Sequence, residues 1–260
     1  MNTIAIINQK GGVGKSTSAH AIGAGLTLKG YRVLYIDLDP QGNLSFIMGA
    51  TVKGLTAINA LQQDAPIADT IQRTAQGDII ASSPALTGAD AIITATGKEY
   101  RLREAIEPIK GSYDYCIIDT PPALGILTIN ALTACSGVII PAQADIFSLQ
   151  GISQLYDTIE TVKRYCNPAL SIKGIVLTRY SPRAVISREV TELIGQTADQ
   201  LKTKLYSVKI RECTAIKEAQ VMKQAIYSYA PKSNASADYL ELVAEILREE
   251  LKIDGKQKDL

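Results

Sequence analysis

Six short apolar runs are spaced along the chain, and longer segments of mixed polarity separate them. The runs are TIAIIN (3–8), RVLYID (32–37), GDIIAS (77–82), YDYCIID (113–119), GVIIPA (137–142) and KGIVLT (173–178). Parallel strands have this nearly continuous apolar character because both of their faces are buried. We therefore predict that the six runs are buried parallel strands.

The segments between these runs have the composition and periodicity of helices. We predict helices at 15–29, 100–110, 148–165, 185–203 and 235–251. In the last of these, apolar residues recur at helical spacing and form one core-facing stripe. The alternation of strands and helices predicts an α/β fold. It consists of a single doubly wound, mostly parallel sheet with helices on both faces, joined by right-handed crossovers.

No linker, repeat or low-complexity stretch interrupts this alternation, so we predict one domain that spans residues 1–260. The segment 43–76 is the least regular part, and we expect it to decorate the sheet. A hydrophobic fraction of 46% is typical of a globular protein with a sizeable core. The sequence contains neither a secretory signal nor an apolar run of about 18 residues, so we expect a cytoplasmic protein without a membrane partner.

The stretch INQKGGVGKST, residues 7–17, connects the first predicted strand to the first predicted helix. A glycine-rich turn with Lys-Ser-Thr in this context is typical of a phosphate-binding loop, or P-loop. The glycines let successive N–H groups face phosphate oxygens, and the helix N-terminus adds a partial positive charge. The residues predicted to bind the nucleotide are Gly11, Gly12, Val13, Gly14, Lys15, Ser16 and Thr17.

Three side chains of the P-loop have separate predicted tasks. Lys15 is placed to reach the β- and γ-phosphates, Ser16 to offer its hydroxyl to Mg²⁺, and Thr17 to bind the α-phosphate. The sequence lacks the Asn-Lys-x-Asp element of guanine-specific P-loop proteins. We therefore predict that the cofactors are ATP and Mg²⁺.

Carboxylates end two of the predicted strands. Asp37 and Asp39 close the second strand, where ligands bind in open α/β sheets, and alternation places both on the same side. Asp119 ends the fourth strand, as the acidic residue of a Walker B motif does, and we predict that it holds Mg²⁺ through water. The prolines and glycine of the following PPALG turn (121–125) are expected to respond to the γ-phosphate.

An ordinary P-loop begins with glycine at the position where this chain has Gln9, and Lys10 follows it. The stretch resembles the KGGxGK[ST] pattern of the deviant Walker A family. The resemblance implies that Lys10 is a catalytic lysine that reaches across a dimer interface to the partner's nucleotide, so that dimerisation depends on ATP. It also implies that Asp39 orients or activates the attacking water, and that Asp37 belongs to the surroundings of the loop and the metal.

The same resemblance locates the adenine base. It implies that Thr178 and Arg179, at the end of GIVLTRY, contact the base together with the segment KIRECTAIKEA (209–219). This chain has Arg211 where the family often has proline, and we include Arg211 among the predicted cofactor contacts.

Over nearly its whole length the chain resembles the short, Soj-like ParA-type partition ATPases. The stretches EYRLREAIEPIKGSYDYCIIDTPPALGILTINAL, PAQADIFSLQGISQL and 209–219 carry this resemblance. It implies a slow, Mg²⁺-dependent ATPase whose ATP-bound sandwich dimer binds DNA non-specifically on the nucleoid and is released when a ParB-type partner stimulates hydrolysis. Because the chain begins at the first strand, we expect no N-terminal DNA-binding domain of the kind found in the long forms.

Basic residues are concentrated in one part of the chain, although its net charge is only +1. The segment 163–232 contains 13 Lys and Arg against 5 Asp and Glu, whereas the rest contains 14 against 21. An excess of this kind fits salt-sensitive, sequence-independent phosphate contacts, or else a scattered solvated surface. The resemblance marks Arg183 as a DNA contact, and the basic excess adds Arg188, Lys209, Arg211 and Lys217 as candidates.

Other ATPases that share this P-loop are alternatives to DNA partition. A MinD-like membrane ATPase ends in a basic amphipathic helix, but the last 20 residues here contain 6 acidic and 4 basic groups and no aromatic residue. A cargo-positioning ATPase that acts on a protein scaffold also stays open. The dependence of DNA affinity on ATP discriminates between these readings.

Overall fold

The structure is a computed structural model and describes residues 1–182 and 185–258. Within these ranges eight strands form one sheet. The strands are β1 (Asn2–Ile6), β2 (Val33–Asp37), β3 (Ile71–Thr74), β4 (Gly77–Ile80), β5 (Tyr115–Asp119), β6 (Gly137–Ala142), β7 (Ser171–Tyr180) and β8 (Leu205–Arg211). Their order across the sheet is β3-β4-β2-β5-β1-β6-β7-β8.

Helices connect these strands. In the described part of the chain they are α1 (Lys15–Leu28), α2 (Asn43–Ile47), α3 (Ala57–Gln62), α4 (Ile67–Thr70), α5 (Ala89–Ile92), α6 (Arg101–Ile106), α7 (Ile126–Ala134), α8 (Ile146–Tyr165), α9 (Val185–Gln200), α10 (Thr214–Val221), α11 (Ile226–Tyr229) and α12 (Asn234–Lys258). Short 3₁₀ turns lie at Pro84–Gly88, Lys98–Tyr100 and Glu107–Ile109.

The sheet separates two hydrophobic cores. Along β1, Ala5 packs into the core on one face, while Ile4 and Ile6 pack into the core on the other. All strand pairs are parallel except β3 with β4, which is antiparallel. This arrangement confirms the predicted doubly wound α/β fold with one mostly parallel sheet.

The carboxyl ends of β1, β2 and β5 meet at the middle of the sheet. β5 pairs with both of the other strands, and Asp119 is in register with Ile6 on one side and with Asp37 on the other. In doubly wound sheets, ligands bind at the carboxyl ends of strands where the strand order reverses. The fold therefore brings the P-loop, which follows β1, together with the predicted carboxylates.

The structure corrects several sequence-based boundaries. All six predicted strands are present, but β3 and β8 are additional edge strands, and α7 is an additional helix after Asp119. The predicted helix 100–110 is shortened to α6, and the 3₁₀ turn that follows it contains Pro108, which has no N–H to continue a helix.

The expectation that 43–76 merely decorates the sheet is wrong. This segment supplies β3 and three short helices. Its side chains Leu44 and Leu61 are completely buried, one in each core. The segment is therefore part of the folded core, and its short elements explain why its periodicity was weak.

Candidate active site

The P-loop connects β1 to α1 through a left-handed turn. Gly12 and Gly14 have φ values of 76° and 85°, a region in which a side chain would be strained. No side chain caps the N-terminus of α1 in the described structure. The N–H groups of the first helical turn are therefore available to an anion such as a phosphate.

Hydrogen bonds with neighbouring strands and within the loop hold the P-loop in place. The Asn8 amide donates to the carbonyl oxygen of Pro141 at 2.7 Å and accepts from the Lys10 N–H at 2.9 Å. The Thr178 hydroxyl donates to the carbonyl oxygen of Val13 at 2.7 Å. In this structure Thr178, which we predicted to contact adenine, braces the P-loop from the end of β7.

Lys15 lies buried between the loop and the carboxylates, with only 7% of its surface exposed. Its ammonium group is 3.4 Å from the carbonyl oxygen of Lys10. Burial lowers the pKa of Lys15, while Asp119 and Asp39 offset part of that shift. A buried cation directed at the loop is suited to bind phosphate, because a phosphate would supply the charge that desolvation has left uncompensated.

Asp37 and Asp119 lie side by side on the paired strands β2 and β5, but only Asp37 accepts hydrogen bonds from the described residues. Asp37 accepts from the Asp39 N–H (3.1 Å) and from the Ser45 N–H and hydroxyl (2.8 and 2.7 Å). Burial raises the pKa of Asp37 to about 6, although these donors lower it. The oxygens of Asp119 are completely buried and have no hydrogen-bond partner among the described residues.

The unpartnered Asp119 carboxylate fits a role as a metal-facing group. Burial raises its pKa well above the ordinary value, Asp37 raises it further, and Ser16 and Lys15 offset part of the rise. The Ser16 hydroxyl is close enough for this effect but does not form a hydrogen bond of ordinary geometry with Asp119. Ser16 and Asp119 are thus the residues that would hold Mg²⁺, whereas the donors that saturate Asp37 leave it an indirect role.

The described residues contain no group of three or more His, Cys, Asp or Glu side chains that could hold a metal by itself. Mg²⁺ in nucleotide sites is commonly bound through one or two protein groups together with phosphate oxygens and water. The donor set of Ser16 and Asp119 is therefore appropriate for Mg²⁺ that arrives with a nucleotide.

Asp39 lies beyond the end of β2 and is 6% exposed. One of its carboxylate oxygens accepts from the Gln41 N–H at 3.0 Å, and its carbonyl oxygen accepts from the Ser82 hydroxyl at 2.5 Å. The backbone of Asp39 is therefore held in place, and its second carboxylate oxygen has no hydrogen-bond partner among the described residues.

Lys10 forms an ion pair within its own chain. Its ammonium group is 2.5 Å from a carboxylate oxygen of Asp145 and 3.5 Å from the amide oxygen of Gln143. The other Asp145 oxygen caps the N-terminus of α8 by accepting from the Ser148 N–H at 3.0 Å. Partial burial raises the pKa of Asp145, but Lys10 and Ser148 outweigh this effect and hold it below its ordinary value.

Two adjoining cavities open beside the P-loop. The first has a volume of about 460 Å³ and the second about 150 Å³, and both are lined by residues of the P-loop and of α10. Gln220 of α10 donates to the Thr17 hydroxyl at 2.8 Å where the two cavities adjoin. Their sizes and positions suit phosphates in the first and a base in the second.

Residues predicted near the base line the second cavity, but two of them are engaged in ion pairs. Arg179, whose φ is 49°, pairs with Glu212 at 3.2 Å. The Arg211 guanidinium donates to both carboxylate oxygens of Asp238, at 2.6 and 2.9 Å. The backbone N–H of Arg211 donates to the same carboxylate. Arg211 therefore fastens β8 to α12, which a proline without an N–H could not do in the same way.

Of the predicted DNA contacts, the structure places the side chains of Lys209 and Lys217 in different surroundings. Arg183 lies outside the described residues, and Arg188 is in α9 but its side chain is outside the described part. The Lys209 ammonium lies over the Tyr180 ring, 4.8 Å from its centre. Lys217, predicted as a DNA contact, lines both cavities beside the P-loop, a position from which it could also reach a nucleotide.

Sequence reasoning missed five residues that shape this site: Ser45, Ser82, Gln143, Asp145 and Gln220. Asp145 carried a usable signal, because Asp is one of the residues preferred at the N-cap of a helix. The others depend on contacts between distant parts of the chain and have no local pattern.

The similarity of the chain to known proteins agrees with this site. Residues 1–172 match the family described as an AAA domain. The chain is 37% identical over 250 residues to the chromosome partitioning protein ParA of Myxococcus xanthus, covering 94% of this chain and 87% of that protein. It is 38% identical over 248 residues to the sporulation initiation inhibitor protein Soj of Bacillus subtilis, covering 94% of this chain and 97% of Soj.

A solved structure supports the cofactors. The crystal structure of cobyrinic acid a,c-diamide synthase from Mycobacterium smegmatis with bound ATP analogue and magnesium has a TM-score of 0.83 and 34% identity, and the match covers 95% of each chain. No helix in the described part of this chain is long and apolar enough to span a bilayer. ATP and Mg²⁺ are thus the cofactors of a nucleotide-hydrolysing protein, and the chain belongs to the ParA-type, Soj-like partition ATPases with a deviant Walker A motif.

Proposed function

We propose that this protein is a DNA-segregation switch in which one ATPase domain, residues 1–260, alternates between an ADP or free state and an ATP-bound sandwich dimer. The observation that carries the proposal is the position of Lys10. Lys10 lies on the P-loop itself, and its ammonium group pairs with Asp145. The Lys10 side chain is nevertheless 32% exposed. A lysine at this place can serve a nucleotide in a facing subunit.

The ion pair of Lys10 is weak enough to be exchanged. The side chains of Lys10 and Asp145 are each about one-third exposed. Ion pairs with this exposure contribute roughly 1 kcal/mol or less to stability. A charge-assisted contact to a phosphate in a closed interface is stronger. ATP in a facing subunit would therefore draw Lys10 away from Asp145, so that assembly depends on the nucleotide.

The remaining residues supply an ATPase that depends on Mg²⁺. Lys15 and the P-loop N–H groups bind the phosphates, and Ser16 and Asp119 hold Mg²⁺, which neutralises phosphate charge when it is bound. Asp39 orients the attacking water with its free carboxylate oxygen. We propose that intrinsic turnover is slow, because a switch needs a long-lived ATP state, and that a ParB-type partner accelerates it.

The dimer would bind DNA through the basic excess of the segment 163–232. Arg183, Arg188 and Lys209 are the proposed contacts, with Arg211 contributing only charge because Asp238 holds its guanidinium. Phosphate contacts of this kind are independent of base sequence and weaken as salt increases. Two such surfaces joined in one dimer bind more tightly through avidity, which would place the ATP form on the nucleoid and the free form in the cytoplasm.

Binding to random-sequence DNA tests the proposal. The measurement is made with ATP, ADP and no nucleotide at two salt concentrations, on wild type, Lys10→Ala and the control Lys29→Ala. Lys29 is an exposed residue just past the end of α1, about 20 Å from the P-loop. We expect salt-sensitive binding with ATP alone, which Lys10→Ala loses together with the dimer and Lys29→Ala retains.

Two results would redirect the assignment. Dimers and DNA binding that survive Lys10→Ala would contradict the role of Lys10. An intact ATPase whose DNA binding is absent, or does not depend on nucleotide, would favour a MinD-like or cargo-positioning ATPase that acts on a membrane or a protein scaffold.

A further inference from the structure

A closed circuit of buried hydrogen bonds surrounds the backbone that carries Asp39. Its members are Asp37, at the end of β2, Ser45 in α2, Ser82 after β4 and Asp39 itself. The first three have 1% exposure or less, and Asp39 has 6%. Three separate segments of the chain therefore meet behind one carboxylate.

The circuit fixes both peptide groups of Asp39. On the N-terminal side, the Asp39 N–H donates to Asp37 at 3.1 Å, and Asp37 in turn accepts from the Ser45 hydroxyl at 2.7 Å. On the C-terminal side, the Asp39 carbonyl oxygen accepts from the Ser82 hydroxyl at 2.5 Å. The Ser82 N–H closes the circuit by donating to the Ser45 hydroxyl oxygen at 2.9 Å.

We propose that Ser45 and Ser82 are positioning residues for Asp39 in ATP hydrolysis. This inference rests on the proposed function, in which Asp39 orients the attacking water. Reaction rates depend steeply on such placement, and a displacement of about 1 Å can reduce turnover roughly 100-fold. The two hydroxyls act through the backbone of Asp39 and not by touching the nucleotide.

Because the two serines do not line the nucleotide cavity, the loss of their hydroxyls should affect turnover and not ATP binding. The cavity beside the P-loop is lined by the neighbours Asn43, Phe46 and Ile47, whereas Ser45 and Ser82 lie behind this wall. Removing either hydroxyl should therefore leave the phosphate contacts of the P-loop unchanged. The expected effect is on kcat and not on KM or on the affinity for ATP.

Steady-state hydrolysis by Ser82→Ala and Ser45→Ala tests the inference. We expect kcat to fall about tenfold in each variant, with KM and ATP affinity within about twofold of wild type. Ser45→Thr keeps a hydroxyl in the circuit and should retain most of the turnover. Ser83→Ala is the matched control, because Ser83 is buried beside Ser82 and its hydroxyl has no partner among the described residues.

The outcomes separate this inference from the proposed function. Asp39→Ala is measured in parallel, and full turnover in that variant would refute the assigned role of Asp39 and with it the inference. If Asp39→Ala is inactive but Ser82→Ala and Ser45→Ala have wild-type kcat, the inference alone fails. It also fails if Ser82→Ala lowers Tm, ATP affinity and kcat together, or if Ser83→Ala has the same effect on kcat.

Discussion

Each end of the sheet holds a carboxylate, partly buried at the amino end and fully buried at the carboxyl end, and the two have opposite hydrogen bonding. At the amino end, Glu250 of α12 accepts hydrogen bonds from Lys173, Asn2 and Tyr115 at 2.8, 2.5 and 2.5 Å. At the carboxyl end, Asp119 is fully buried with no donor among the described residues. One end therefore stabilises the fold, while the other retains unsatisfied charge.

An unsatisfied buried carboxylate destabilises a protein unless a ligand compensates for it. The site also contains the buried cation of Lys15, whose one hydrogen bond among the described residues is a long contact of 3.4 Å to the Lys10 carbonyl oxygen, and burial lowers its pKa. The neighbouring Asp37 shows that this fold can saturate a carboxylate at the same end, since Ser45 and the Asp39 N–H do so. The contrast supports our proposal that Lys15 and Asp119 are the buried groups that the cofactors would satisfy.

Removing the cation of the site should have the largest effect. We expect Lys15→Ala to abolish measurable ATP binding, a loss of roughly 100-fold or more, because its contacts to phosphate are charge-assisted. Isothermal titration with ATP and Mg²⁺ measures the affinity, and Lys29→Ala controls for the loss of a lysine from α1 and its flank. Wild-type affinity in Lys15→Ala would contradict the assignment of the P-loop.

Removing the Glu250 anion at the amino end of the sheet should destabilise the fold without changing nucleotide binding. Glu250→Gln leaves Lys173 without its anion at a site where both side chains are about 15% exposed, which should lower the free energy of unfolding by about 3 kcal/mol. Glu241→Gln is the control on the same helix. Its pair with Arg248 is exposed and should contribute less than about 1 kcal/mol.

Denaturant unfolding of the nucleotide-free protein measures both variants. ATP affinity should stay at the wild-type value, because Glu250 lies at the opposite end of the sheet. Equal stability of the two variants would remove the contrast between the ends.

Replacing the Asp119 carboxylate with a neutral amide should have a smaller and opposite effect on stability. We expect Asp119→Asn to raise the free energy of unfolding of the nucleotide-free protein by about 1 kcal/mol, because a buried amide costs less than a buried charge. The same change should abolish the dependence of ATP binding on Mg²⁺. A less stable variant that still responds to Mg²⁺ would show that Asp119 serves the fold and not the metal.

The parts of this site that sequence predicted are those written in consecutive residues. The glycines of the P-loop and the apolar run that ends in Asp119 have local patterns, and the structure places them as a P-loop and a strand end. The partner of Lys10 is different. Asp145 lies 135 residues away, and only the pairing of β1 with β6 brings the two segments together.

Arg211 and Ser82 illustrate the same limit. Nothing in KIRECTAIKEA shows that Asp238 of α12 binds the guanidinium, because the contact requires the packing of α12 on β8. Ser82 occurs in a run predicted as a strand, yet β4 ends before it and its hydroxyl is directed at the Asp39 backbone. Long-range hydrogen bonds of this kind follow from topology, which periodicity alone does not contain.

The smallest effect is expected at His20. Like Asp119 it is buried and has a polar atom without a hydrogen-bond partner among the described residues, but it is uncharged. It lies in α1 below the P-loop with 5% exposure, and its Nε2 has no hydrogen-bond partner of ordinary geometry among the described residues. Burial lowers its pKa from 6.5 to about 4, and Gln76 offsets this only in part. The folded protein therefore keeps His20 uncharged where the unfolded chain would protonate it.

The direction of the pH dependence follows from this shift. Above pH 6.5 neither state binds the proton and His20 contributes nothing; below it the unfolded chain takes up a proton first, so stability is lost progressively down to pH 4. The loss attributable to His20 should be about 1 kcal/mol between pH 7 and pH 5.5. Denaturant unfolding of wild type and His20→Gln at both pH values isolates it, since the other titrating groups are common to both. Equal losses in the two proteins would mean that the pKa of His20 is the same in the folded and unfolded chain, so that burial does not keep it uncharged.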